Sequence, residues 1–141
     1  MLKGINPILT PDLLKILMEM GHGDEIVISD GNFPASAIAK RLVRLDGLNV
    51  PEVLDAILEV MPLDQYVEKQ VALMEVVPGD NFKPVIWDTY KEIIKKHEPD
   101  AQIEHIERFK YYDRAREAFA VVYTSEQSQY ANIILKKGCV I

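Results

Sequence analysis

The sequence predicts an α/β fold whose largely parallel sheet is covered by helices on both faces. Short apolar runs rich in β-branched residues, such as Glu25 to Ser29, read as strands buried on both sides. Longer stretches between them carry apolar residues at helical spacing. Gly- and Pro-bearing turn signals separate the two kinds of segment. Strands that alternate with helices in this way build βαβ units.

Thr10-Pro11-Asp12 opens the first helix with an N-cap, a Pro at the first helical position and an acid in the first turn. Leu13, Leu14, Leu17, Met18 and Met20 form its apolar stripe, and Gly21 reads as its C′ stop. Glu25 to Ser29 is the first strand. Pro34 to Lys40 reads as a short helix and Leu42 to Leu45 as a short strand, followed by the turn Asp46-Gly47. Val50-Pro51-Glu52 starts the next helix, with Val53, Leu54, Ile57 and Leu58 on one side and Pro62 beyond its end. Gln70 to Val77 is a second buried strand, closed by the turn Pro78-Gly79-Asp80. Val85 to Lys96 reads as a helix carrying Ile86, Trp87, Tyr90, Ile93 and Ile94, and Pro99-Asp100 interrupts it. Ile103 to Glu107 reads as a strand, Lys110 to Glu117 as a helix and Ala118 to Thr124 as a strand. A polar loop over Ser125 to Gln129 leads to a last strand, Asn132 to Leu135. No repeat or long linker divides the chain, so residues 1–141 are expected to form a single domain.

The net charge of −6 is spread along the chain, and Lys40-Arg41, Lys95-Lys96 and Lys136-Lys137 are short and separate. A nucleic-acid groove needs clustered cations, so none is expected. The single cysteine, Cys139, allows no intramolecular disulfide, which fits a reducing, cytoplasmic setting. The first residues lack a long apolar segment, and no run approaches a membrane span.

The segment Gly21-His22-Gly23-Asp24 is where chemistry concentrates. A histidine titrates near neutral pH and can give and take protons. Flanking glycines let a ligand approach the backbone closely. Asp24 or Asp30 is expected to orient the ring or help bind the ligand. The plain alternative is a cap, a strand and a turn with His22 incidental. If Glu25 to Ser29 is fully extended it spans roughly 16 Å, which puts His22 and Asp30 at opposite ends. They then share one small ligand only if the chain folds back or the pocket uses two subunits.

Arg108 precedes the aromatic group Phe109, Tyr111 and Tyr112, and its fork can grip hydroxyls or a carboxylate. Its alternative is a surface ion pair with Glu104 or Glu107. Tyr130-Ala131-Asn132 offers a phenol and an amide at a loop-to-strand junction, or else an ordinary turn. His97 and His105 have no partner at a metal-ligand spacing. No phosphate-cradling loop or nucleophile elbow is present. The inventory of His, Asp, Tyr, Arg and Asn calls for no cofactor and no metal. It suits proton transfer on a polyhydroxylated small molecule.

Several stretches carry a resemblance. They are Met1-Leu2-Lys3 with Pro7-Ile8-Leu9, Glu19 to Ile26, Ser29-Asp30 with Phe33-Pro34, and Asp46-Gly47-Leu48. Arg108-Phe109, Tyr112-x-Arg114-Ala115, Ala118 to Val122 and Tyr130-x-Asn132-Ile133-x-Leu135-Lys136-Lys137-Gly138 continue it. In these the chain resembles the RbsD/FucU family of sugar mutarotases, nearest to its L-fucose branch. The resemblance implies a three-layer α/β/α fold with a largely parallel or mixed central sheet. It implies interconversion of the anomers of free L-fucose, with ribose pyranase-type activity or non-catalytic sugar binding as alternatives. It implies a homo-oligomer, typically a decameric ring, with sites near subunit contacts. His22 maps onto the family's proton donor. Asp30, Arg108, Tyr130, Ala131 and Asn132 map onto its sugar-binding positions, with Tyr112 a further relay candidate. The usual family motif is Tyr-Gly-Asn, so Ala131 places a methyl group where glycine is common.

Mutarotation opens a hemiacetal ring and recloses it on the other face. One group protonates the ring oxygen while another takes the anomeric hydroxyl proton. Positioned proton transfer is worth about a hundred- to ten-thousand-fold. The reaction already runs in water, so a gain of that size suffices without a metal or nucleotide.

Overall fold

A computed structural model describes residues 1–141, and eleven elements follow one another along the chain. They are α1 (Pro11–Glu19), β1 (Glu25–Ser29), α2 (Ala35–Ile38), β2 (Leu42–Leu45), α3 (Val50–Leu58) and β3 (Val71–Met74). Then come α4 (Ile86–His97), β4 (Ile103–Ile106), α5 (Arg108–Glu117), β5 (Ala120–Thr124) and β6 (Ile133–Lys136). The strands form one sheet in the order β2-β5-β1-β6-β3-β4. β1 pairs parallel with β5, β5 with β2, and β3 with β4. β6 wedges antiparallel between β1 and β3. The sheet is therefore mixed, with five strands pointing one way and β6 the other.

Strand side chains alternate between faces, and the core divides accordingly. Ile26, Ile28, Val122, Ile133, Leu135 and Leu73 pack against α1, α3 and α4. Val27, Val121, Ile134 and Ala72 pack against Phe33, Tyr111 and Ala115 on the side of α2 and α5. This is a helix–sheet–helix sandwich, and the double burial explains why the strand runs are apolar without alternation.

Local chemistry sets the element ends. Thr10 Oγ1 accepts the Leu13 N–H at 3.2 Å, the expected N-cap bond. Glu52 accepts the Asn49 N–H at 2.8 Å at the start of α3. The stop after α1 differs from the expectation. Met20, not Gly21, leaves the helix, and it turns into extended backbone. The positive φ of +86° falls on Gly23 instead. Lys137 Nζ caps α1 from across the fold, donating to the carbonyls of Leu17 (2.8 Å) and Met20 (2.6 Å). A cation there also meets the negative end of the helix dipole.

Tyr111 is fully buried, and its hydroxyl has no hydrogen-bond partner. An unpaired buried hydroxyl costs stability that a same-shaped apolar ring does not. Tyr111→Phe is therefore expected to leave the thermal midpoint unchanged or to gain up to about 1 kcal/mol, measured by calorimetry. A clear drop would show that the hydroxyl is satisfied by an internal water.

Candidate active site

The five parallel strands end at one edge of the sheet, where β6 begins. The residues Asp30, Glu75 to Val77, Glu107-Arg108, Glu126 and Tyr130-Ala131-Asn132 all follow or precede strands at that edge. Ligands in open α/β sheets bind at such carboxyl ends. The Asp30 N–H donates to Asn132 Oδ1 at 2.7 Å, and Asp30 Oδ1 accepts the Asn32 N–H at 2.9 Å. Burial pushes the Asp30 carboxyl above its ordinary value, and the nearby Glu126 charge adds to the rise. Bonds from Asn32, Phe33 and Asn132 offset it in part.

Asn132 reaches Asp30 because the chain bends sharply just before β6. Tyr130 makes the bend with φ +58°, and no other residue except glycine has positive φ. Such a conformation costs about 1–3 kcal/mol and persists only where its surroundings hold it. Trp87 Nε1 donates to the Tyr130 carbonyl at 2.8 Å, and the Tyr90 hydroxyl donates to the Ala131 carbonyl at 2.7 Å. Both donors sit on α4. Ala131 itself is fully buried, with its methyl packed inward and its carbonyl held by Tyr90.

Arg108 begins α5 and makes no ion pair. Glu104 pairs instead with Arg114 at 2.9 Å, and Arg114 also grips Glu25 at 2.6 Å. Glu107 caps its own helix, accepting the N–H groups of Phe109 and Lys110. The Arg108 guanidinium lies 4.6 Å from the Phe109 ring centre and lines a cavity of about 240 Å³ with Glu75, Val77 and Pro78. A free guanidinium beside a cavity is ready to bind an oxygen-rich ligand. Tyr112 stacks on Phe33 with ring centres 5.6 Å apart and hydrogen-bonds no site group.

His22 lies at the other edge of the sheet, before β1. Its loop is held firmly. Asp24 Oδ2 accepts the Gly21 N–H at 2.8 Å, the Gly23 N–H donates to the Lys137 carbonyl, and the Lys137 N–H donates to that of Asp24. Asp24 thus fixes the loop, and neither Asp24 nor Asp30 orients the ring. Asp64 does so: its Oδ1 lies 2.9 Å from His22 Nε2 and also accepts the Tyr66 N–H at 3.0 Å. A carboxylate only accepts, so Nε2 carries the hydrogen and Nδ1 is left free. The Asp64 side chain is 3% exposed and that of His22 46%. Desolvation pushes the Asp64 carboxyl up, but the Tyr66 N–H and His22 together hold it below its ordinary value. Tyr66 lies tilted against the imidazole, with ring centres 5.4 Å apart.

Gly138 makes this edge possible. A Cβ there would lie 2.4 Å from the Leu63 carbonyl oxygen, beside Asp64. Gly138→Ala is expected to push the Leu63-Asp64 segment away, cost about 1–3 kcal/mol on thermal denaturation, and loosen His22. An unchanged melting point would show that the segment yields freely.

The other two histidines have partners away from both edges. His97 meets Asp55 at 2.7 Å, and His105 packs on Trp87 with ring centres 4.8 Å apart. No group of three or more His, Cys, Asp or Glu side chains is placed to hold a metal ion. No helix is long and apolar enough to cross a membrane. Reasoning along the chain missed Asp64, which bonds His22, Asp80, which bonds Tyr130, and Glu126, whose charge acts on Asp30.

A profile of the RbsD / FucU transport protein family matches residues 3–140. The chain is 49% identical over 139 residues to an L-fucose mutarotase of Actinobacillus pleuropneumoniae serotype 5b (strain L20), covering 98% of this chain and 96% of that one. It is 47% identical over 145 residues to a fucose mutarotase of Danio rerio, covering 99% and 94%. The crystal structure of the fucose mutarotase of Streptococcus pneumoniae in complex with L-fucose superposes with a TM-score of 0.94 at 51% identity, covering 99% of this chain and 100% of that one.

Proposed function

Since the chain belongs to the RbsD/FucU family, we propose that it is an L-fucose mutarotase, an isomerase that interconverts the α and β anomers of the free sugar. The observation that carries this is the 51% identity, over nearly the full length of both chains, to a mutarotase solved with L-fucose. The polar cluster around Asp30, the unpaired Arg108 guanidinium and the carboxylate-held His22 supply the chemistry such a reaction needs.

In this reading His22 is the acid–base group and works through Nδ1, because Nε2 is committed to Asp64. Asp30 and Arg108 fix sugar hydroxyls. Tyr130, Asn132 and the main chain at Ala131 complete the hydrogen-bond set. Tyr112, engaged with Phe33, serves as wall rather than relay.

The geometry adds a demand. β1 runs extended for five residues between the two edges, about 16 Å, and the chain does not fold back. A monosaccharide is far smaller than that span. This separation supports a site in which one sugar meets His22 of one subunit and the Asp30 cluster of the next. A contact between unlike edges is head-to-tail, and such contacts make a ring when the rotation between subunits closes. A decameric ring, in the cytoplasm as the lone cysteine suggests, is the assembly proposed.

Saturation-transfer NMR on free sugars tests the activity. Exchange between L-fucose anomers should speed up with the protein present, and faster than the response with D-ribose. A shifted anomer ratio without faster exchange would mean a mere binder. Light scattering tests the ring, which should weigh about ten times the 16.0 kDa chain.

A further inference from the structure

The Tyr130 phenol is committed to a partner of its own. Its Oη lies 2.7 Å from Asp80 Oδ2. A carboxylate only accepts, so the phenol proton points at Asp80. The Val77 N–H reaches the same oxygen at 3.4 Å, a weak contact that leaves lone-pair density free. Through Val77 the phenol neighbours the wall of the cavity beside Arg108, although Tyr130 itself does not line it. Phe82 stacks on the Tyr130 ring with centres 6.0 Å apart, and Trp87 holds its carbonyl. Asp80 is fixed by its own turn, where Oδ1 accepts the Phe82 N–H at 2.9 Å. It is also exposed to water.

We propose that Asp80 is the terminal proton acceptor of a two-member relay, in which Tyr130 takes the anomeric proton and passes its own to Asp80. The proposal rests on the mutarotase reading above. In ring opening, the anomeric O–H proton moves to Tyr130 Oη while the Tyr130 proton moves to Asp80 Oδ2. The freed O–H electrons form the carbonyl at C1. The electrons of the C1–ring-oxygen bond go to the ring oxygen, which takes a proton from the His22 imidazolium. Reclosure on the other face reverses each transfer. The coupled step also removes a difficulty. Asp80 raises the Tyr130 phenol above its ordinary value, so Tyr130 accepts the anomeric proton only as it gives up its own. The same bond and the Phe82 N–H hold the Asp80 carboxyl below its ordinary value, so the proton rests there only until reclosure returns it. Asp80 acts through Tyr130 and does not touch the sugar, which makes it a relay residue.

The experiment compares wild type with Asp80→Asn, Asp80→Ala and Asp80→Glu. Asparagine can still accept the phenol hydrogen bond but cannot store the proton. Asp80→Asn and Asp80→Ala are therefore expected to slow L-fucose anomer exchange alike, by about a hundredfold. The L-fucose dissociation constant should stay within about threefold, because no sugar contact is removed. Asp80→Glu should recover at least about tenfold of the loss. Tyrosine labelled at Cζ should show the Tyr130 signal titrating at lower pH in Asp80→Asn than in wild type. Wild-type exchange in Asp80→Asn would overturn the relay, as would a loss of binding equal to the loss of exchange. Absence of exchange with the wild-type protein would instead overturn the mutarotase reading, and the relay with it.

Discussion

Subunits carrying His22→Ala, mixed with subunits carrying Asp30→Ala and Arg108→Ala, are expected to regain mutarotase activity that neither has alone. The two groups of residues sit at opposite edges of one sheet, separated by the five residues of β1. His22 is the proposed proton donor, so the loss in His22→Ala should be about a hundredfold or more. The double variant removes the two proposed charge-assisted contacts to the sugar and should lose at least as much. Each variant keeps one edge intact. In a randomly mixed ring, about one contact in four pairs an intact His22 edge with an intact Asp30 edge, so about a quarter of wild-type activity should return. Saturation-transfer NMR on the refolded mixture reads this directly. If each chain held a complete site, the mixture would show only the average of two inactive proteins. That result would remove the shared site and require a conformation in which the chain folds back.

Much of the architecture is legible along the chain because its signals are local. The Thr10-Pro11-Asp12 start, the Asp46-Gly47 and Pro78-Gly79 turns and the apolar runs each fix an element where the structure has one. The limits shift where locality ends. The apolar run from Gln70 to Val77 reads as one strand, yet the ladder ends with the Glu75 N–H on the Ile106 carbonyl, because β4 gives way to α5 at Arg108. Nothing in Asn132 to Leu135 tells direction, so the antiparallel entry of β6 is invisible until β1 and β3 are seen on either side of it. That entry is what brings Asn132 to Asp30.

Site chemistry divides in the same way. The Gly-His-Gly-Asp segment marks His22 from residue types alone. Its orienting acid does not announce itself. Asp24 and Asp30 are near in sequence, while Asp64 is 42 residues away and joins His22 only because Gly138 lets the chains approach. Asp80 is likewise 50 residues from Tyr130. One signal was available: Asp64 is an acid next to Leu63 in a segment that runs towards a buried strand, and buried acids are usually partnered. The notion that Arg108 pairs with Glu104 failed for a related reason. Arg114 faces the same carboxylate from the inner side of α5 and reaches Glu25 as well.

Asp30→Asn is expected to make the protein more stable and less able to hold sugar. The Asp30 carboxyl is buried, and its folded value lies above the ordinary 3.8. Below that ordinary value it is protonated whether folded or not, and it costs nothing. As pH rises through the folded value, the charge must form in a desolvated place, and stability falls. The penalty grows with pH until the folded carboxyl is fully charged. Asparagine keeps an oxygen for the Asn32 N–H and carries no charge, so the thermal midpoint at pH 7 should rise above wild type. The difference should shrink as pH falls towards 4 and the wild-type carboxyl takes up its proton. Sugar binding should move the other way. A hydrogen bond to a charged group is worth about 1.5–3 kcal/mol, or roughly ten- to a hundredfold in affinity. A functional group that strains its own fold is expected where binding, rather than packing, fixes the residue. Melting curves from pH 4 to 8, with and without L-fucose, decide the matter. A lower midpoint at pH 7 with affinity retained would mean that Asp30 is there to hold the β1 end to Asn132, and the sugar site would have to be sought elsewhere along that edge.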